Sequence, residues 1–141
     1  MAETSDNPTP SPRETSSKSM KAITSKNRQA WLDLFTEDGV VEDPVGPSFL
    51  DPDGKGHRGK EAIAKFFDEI IAPNDLVAFT INQSYECANE VANVGTIDIT
   101  LPGGTQMASV DLVSIYRIDA DGRLISLRAF WESDKMRFRD L

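Results

Sequence analysis

The second half of the chain limits what the whole can fold into. From Leu76 to Trp131 it reads as four long strands, Leu76–Cys87, Val91–Leu101, Gln106–Ile118 and Leu124–Trp131. Only turn signals separate them: Ala88-Asn89, Pro102-Gly103-Gly104 and Asp119-Ala120-Asp121-Gly122. Strands that are long and consecutive are predicted to pair as an antiparallel meander.

Helices precede the meander. One helical stretch is predicted from near Ser16 to Phe35, broken around Thr24–Asn27, where Ser25 or Asn27 caps the second piece. Trp31, Leu34 and Phe35 fall at i, i+3, i+4 and so share a core-facing side. Val40-Val41-Glu42-Asp43 reads as a short strand ending at Pro44, and residues 46–59 as a Gly/Pro/Asp loop. A second helix is predicted from Lys60 to Ile71, with Ile63, Phe66, Phe67, Ile70 and Ile71 on one stripe and Pro73 as its stop. Helices first and strands after give an α+β domain, and a long curved sheet wrapped over amphipathic helices encloses space for a pocket.

A chain of 141 residues with 39% hydrophobic content suits one domain with one core. Residues 1–15, rich in Ser, Thr and Pro, are expected to be a disordered tail, leaving 16–141 as the domain. The charge balance of 15 basic against 23 acidic residues, net −8, disfavours nucleic acid and anionic membrane surfaces as partners. No apolar run approaches the roughly 20 residues of a membrane span, and the first residues lack the apolar stretch of a secretory signal. A single cysteine, Cys87, allows no internal disulfide and agrees with a cytoplasmic location; it is expected to be a buried strand residue.

Chemistry concentrates at Val40-Val41-Glu42-Asp43-Pro44. Alternation puts Val41 and Asp43 on one face of the strand and Val40 and Glu42 on the other. If the Val41 face looks inward, Asp43 lies at the inner end of the strand, and Pro44 holds it extended. Desolvation raises the pKa of such a carboxylate and suits it to general-base work near neutral pH. The competing reading is an acid capping a loop at a strand end.

The run from Leu34 to Gly46, with its Glu42-Asp43-Pro44-Val45-Gly46 core, resembles the signature segment of bacterial steroid Δ-isomerases, ketosteroid-isomerase-like members of the NTF2-like, or SnoaL-like, superfamily. Gly59-Lys60-Glu61-Ala62-Ile63 with Phe66-Phe67 resembles that family's next helix, and Asp121 to Trp131 its last strand. The resemblance spans about residues 19–131. It implies a cone-shaped fold with a curved sheet packed on N-terminal helices, no cofactor, and an apolar, steroid-like ligand. It also implies Asp43 as the base that moves a proton between two carbons of a 3-oxosteroid, a worked case of carboxylate tuning. The family's oxyanion donors, a first-helix tyrosine and a protonated aspartic acid, map to Ser19 and Ser114, and a supporting tyrosine maps to Phe67. A missing donor typically costs about 10²–10³ in rate. Tyr116, on the same face as Ser114, or Asp111, if a bulge turned it inward, would be a substitute.

The candidate ligand-binding residues are therefore Ser19, Val41, Phe66, Ser114, Tyr116 and Trp131, with Trp131 and Phe66 as walls or as plain core. His57, the single histidine, lies in a Gly-rich loop and reads as a surface residue. Asp51, Asp53 and Gly54 lack the remaining ligands of a calcium loop, no Cys/His cluster suggests zinc, and no phosphate-binding fingerprint is present, so neither metal nor nucleotide cofactor is expected. The acidic and basic residues from 132 to 140 read as a solvated terminal turn. Four functions remain open: a Δ-isomerase, a non-catalytic binder of small apolar molecules, a polyketide cyclase or epoxide hydrolase, and an interaction domain. Val113 and Ile115 on the outer sheet face point to a homodimer.

Overall fold

A computed structural model describes residues 8–141. Four strands form the predicted meander: β3 (Leu76–Cys87), β4 (Glu90–Thr100), β5 (Gln106–Ile118) and β6 (Leu124–Phe130). Three more complete the sheet: β1 (Phe35–Glu42), β2 (His57–Arg58) and β7 (Arg137–Asp140). The order is β2-β1-β6-β5-β4-β3, with β1 parallel to β6 and the other pairs antiparallel. β5 is long enough for two partners, β6 along Val113–Ile118 and β7 along Gln106–Ser109.

The sheet bends between Ile81 and Gln83, where β3 carries a bulge opposite β4. Gly95 sits at that bend, and a Cβ there would lie 2.1 Å from the Thr80 carbonyl oxygen, so a residue with a side chain does not fit.

Helices α1 (Pro12–Thr24), α2 (Arg28–Leu32) and α3 (Lys60–Phe66) cover the inner face. α1 starts four residues before the predicted Ser16. Its Ser11 cap and Glu14 form a reciprocal capping box, with Pro12 in the first turn. Thr15 is buried and donates to the Gly122 carbonyl at 3.1 Å, so residues 12–15 belong to the domain and not to a tail. The tail expectation for residues 1–7 lies outside the described residues.

Asn27 caps α2, which ends at Leu32, and Phe35 opens β1 instead of closing a helix. α3 continues as a π-helical turn over Phe67–Ile71, marked by the Ala72 N–H donating to the Phe67 carbonyl at 2.8 Å. The core gathers round Trp31 and Phe35, both fully buried, their rings edge to face at 5.0 Å. Ile63, Val41 and Leu124 close it.

Two further expectations are corrected. Cys87 is exposed, because it ends β3 at the turn into β4. The 132–140 segment is a 3₁₀ turn followed by β7, an edge strand whose alternation is hidden because all four of its residues are exposed.

Candidate functional site

Between the bent sheet and the helices lies a cavity of about 330 Å³, at the lower end of the range of small-molecule sites, roughly 300–1,000 Å³. Its walls are apolar: Phe66, Ile70 and Ile71 from α3 and the π-turn, Ile97 and Ile99 from β4, Val110 and Leu112 from β5. Asp43, Asn74, Ser114 and Tyr116 are the polar side chains on its lining besides the indoles of Trp31 and Trp131.

Asp43 follows the last residue of β1 directly. Val41 is fully buried, so the Val41 face of the strand does look inward, and Asp43 on that face opens onto the cavity. Glu42 on the other face pairs with Arg128 of β6. The Asp43–Pro44 peptide is cis. The Trp131 indole N–H donates to Asp43 Oδ1 at 2.6 Å. A cavity-facing group keeps some accessible surface, and Asp43 does. The protein packed round it still desolvates it, and burial pushes its carboxyl above the ordinary carboxylate range, while the Trp131 N–H and the nearby His57 charge pull it down.

Tyr116 is buried on β5, two positions from Ser114 and on the same face. Burial pushes its phenol well above the usual tyrosine range. The hydrogen-bonding Ser19 hydroxyl opposes this, the Asp43 charge adds to it, and the Ser114 hydroxyl opposes it. Tyr116 is therefore a protonated donor throughout the neutral range, close enough to Asp43 to feel its charge. Asp111 faces outward, held by Thr96 at 2.8 Å and Arg137 at 2.9 Å, so no bulge turns it in.

The candidate residues thus separate. Phe66, Ser114, Tyr116 and Trp131 line the cavity with Asp43. Ser19 and Val41 do not: both are fully buried behind its wall, and Ser19 Oγ accepts the Trp31 indole N–H at 3.0 Å.

Two features of the site have no counterpart in the sequence reading, and a third, His57, is a correction. Asn74, after the π-turn, donates its amide to the Ile70 carbonyl at 2.9 Å, which leaves Oδ1 as an acceptor on the lining. Phe49, 67% exposed, meets Trp131 edge to face at 6.3 Å and with Phe138 brings aromatic surface from two chain segments to the lining. His57, read as a surface residue, is half-buried in β2, with its ring 4.8 Å from that of Phe66. Among the described residues no group of three His, Cys, Asp or Glu side chains comes together as a metal site.

Comparison with known proteins decides the family. Residues 17–127 match the SnoaL-like domain. The chain belongs to the SnoaL-like family. A steroid Δ-isomerase of Nocardioides simplex is 26% identical over 119 residues, covering 83% of this chain and 86% of that protein. The crystal structure of a Δ5-3-ketosteroid isomerase from a Mycobacterium species superposes with a TM-score of 0.85 at 36% identity, covering 91% of this chain and 98% of the other. The Mycobacterium tuberculosis protein RV0760c, solved in complex with estradiol-17β-hemisuccinate, gives 0.83 at 32% identity, covering 89% and 97%. This SnoaL-like chain therefore has the α+β, ketosteroid-isomerase-like fold that its sequence predicts. No helix among the described residues is long and apolar enough to cross a membrane.

Proposed function

We propose that this SnoaL-like protein binds a steroid-like, largely apolar molecule and shifts a double bond within it by cofactor-free proton transfer, with Asp43 as the base. The observation that carries this reading is the meeting, on one apolar cavity, of a desolvated carboxylate and a phenol that stays protonated. Asp43 removes a proton from the carbon between a ketone and an isolated double bond. The C–H electron pair becomes the new C=C of a dienolate, and the negative charge moves to the former carbonyl oxygen. Tyr116 donates a hydrogen bond to that oxygen, and Asp43 returns the proton to the far carbon, giving the conjugated enone.

A second reading, a non-catalytic binder, is favoured by Ser114, a neutral hydroxyl at one donor position, and by the engagement of Ser19 with Trp31. Both readings share the ligand class, with nucleic acid and anionic membrane disfavoured by the acidic charge. A homodimer is proposed on the strength of the outer sheet face, where Val113 pairs with the 41%-exposed Phe130. A cytoplasmic location is proposed from the cysteine usage alone.

An absorbance assay on a β,γ-unsaturated 3-oxosteroid separates the two readings. Catalysis requires turnover by the wild type, a loss of about 10²–10⁴ in Asp43→Asn and of about 10²–10³ in Tyr116→Phe. Saturable binding with no turnover would leave the binder.

A further inference from the structure

His57 is the one described residue with a buried side-chain nitrogen or oxygen that has no hydrogen-bond partner: its Nε2. Buried polar atoms without partners are rare in folded chains and call for a cause. The register supplies its surroundings. β1 and β2 are antiparallel, and Val41 stands directly opposite His57. Opposed residues project to the same face, and Val41 shares its face with Asp43. The imidazole is therefore on the inner side, one diagonal step from the Asp43 carboxylate, a spacing of about 7–8 Å between backbones. Phe66 of α3 covers the ring and separates it from the cavity that Phe66 and Asp43 both line.

We propose that His57 is a positioning residue that sets the proton affinity of Asp43 from behind the cavity wall. The proposal rests on the reading of Asp43 as the working carboxylate and adds a second titratable group to that site. The other charged groups nearby are paired or exposed, Asp53 and Lys55 of the preceding loop among the exposed. Glu42 of β1 lies on the opposite face and is tied to Arg128 of β6. Arg58, next in β2, is exposed on that same opposite face. On α3, Lys60 is drawn to Glu37 at 3.8 Å, and Glu61 and Lys65 are exposed. In the preceding loop the Asp51 carboxylate accepts the Gly56 N–H at 2.8 Å. Tyr116 approaches Asp43 from β5 as a neutral phenol. A positive charge at this position favours ionised Asp43, and its removal releases that hold. The direction agrees with the influence of the His57 charge on Asp43 noted above.

The test is ¹³C NMR of the full chain, following the Asp43 carboxyl carbon against pH. The His57→Gln variant removes the ionisable ring while keeping polar atoms, and His57→Asn replaces it if the first does not fold, with amide spectra as the check. The Asp43 midpoint rises by roughly half a unit to one unit in these variants, the scale expected for charges this far apart in a partly buried site. His57→Lys, which restores a cation, keeps the midpoint near the wild-type value. An Asp43 midpoint that stays put in a folded His57→Gln or His57→Asn chain overturns the proposal, as does an equal rise with lysine. The readout needs neither ligand nor turnover. A wild type that turns over no steroid defeats the proposed reaction and leaves this coupling intact.

Discussion

β4 and β5 run the length of two unlike compartments. Toward one end Asn93 lies opposite Ser114, itself on the cavity lining, and there buried polar side chains gather under α1. The Asn93 amide donates to Ser16 Oγ at 3.1 Å, Ser16 donates to the Arg13 carbonyl at 2.8 Å, Thr15 to the Gly122 carbonyl, and Trp31 to Ser19. Further along the same two strands Ile97 faces Val110, Ile99 faces Ala108, and the inner face lines the apolar part of the cavity. In the polar seam the groups named have found partners among themselves, so burial costs little there. In the cavity, polar groups are few and keep hydrogen-bonding capacity in reserve: one oxygen of Asp43, the Asn74 acceptor, the Tyr116 hydroxyl. Polarity alone does not mark the site. Polarity with capacity left over, in an apolar surround, does.

Breaking the seam should cost stability. Ser19→Ala leaves the buried Trp31 N–H without an acceptor, a loss of about 1–3 kcal/mol, read as a lowered midpoint in urea unfolding. The same change removes the Ser19 hydroxyl from Tyr116, so ligand affinity is a second readout of that contact. Removing charge from the cavity works the other way. Burial raises the Asp43 pKa in the folded chain above its ordinary value of 3.8. The stability this contributes is fully present below that value and is lost as pH rises through the folded pKa. Asp43→Asn should therefore melt above the wild type at pH 7, and the advantage should shrink as pH falls through the raised folded pKa and be gone below 3.8. A constant advantage across that range would mean that the carboxylate is not desolvated.

Much of the scaffold is legible in the sequence, because turn chemistry and strand alternation are local signals. β3 and β5 begin and end where the alternation does. Two errors have different causes, composition weighed over pattern in one and the lack of any pattern in the other. Ser11-Pro12-Arg13-Glu14 carries a capping box inside a stretch that reads as a tail, and its serines and threonines serve the seam below. β7 has no apolar alternation at all, and it forms because β5 outlasts β6. At the site, the inward face of Asp43 follows from its alternation with Val41. Tyr116 as the donor beside it is one of the substitutes the residues allow. His57 was out of reach: two residues of β2, paired with β1 across a loop, turn a surface histidine into an inner one, and no local periodicity records that pairing.

The central claim is that the apolar compartment beside Asp43 is where the ligand sits. Val110→Trp tests it by placing an indole in that space while leaving Asp43, Tyr116 and the seam in place. A 3-oxosteroid is titrated into the wild type and the variant by calorimetry. Saturable binding to the wild type, weakened at least about tenfold in a folded Val110→Trp chain, or 1.4 kcal/mol, is the result predicted. Equal affinity in the two chains would put the ligand elsewhere and contradict the account.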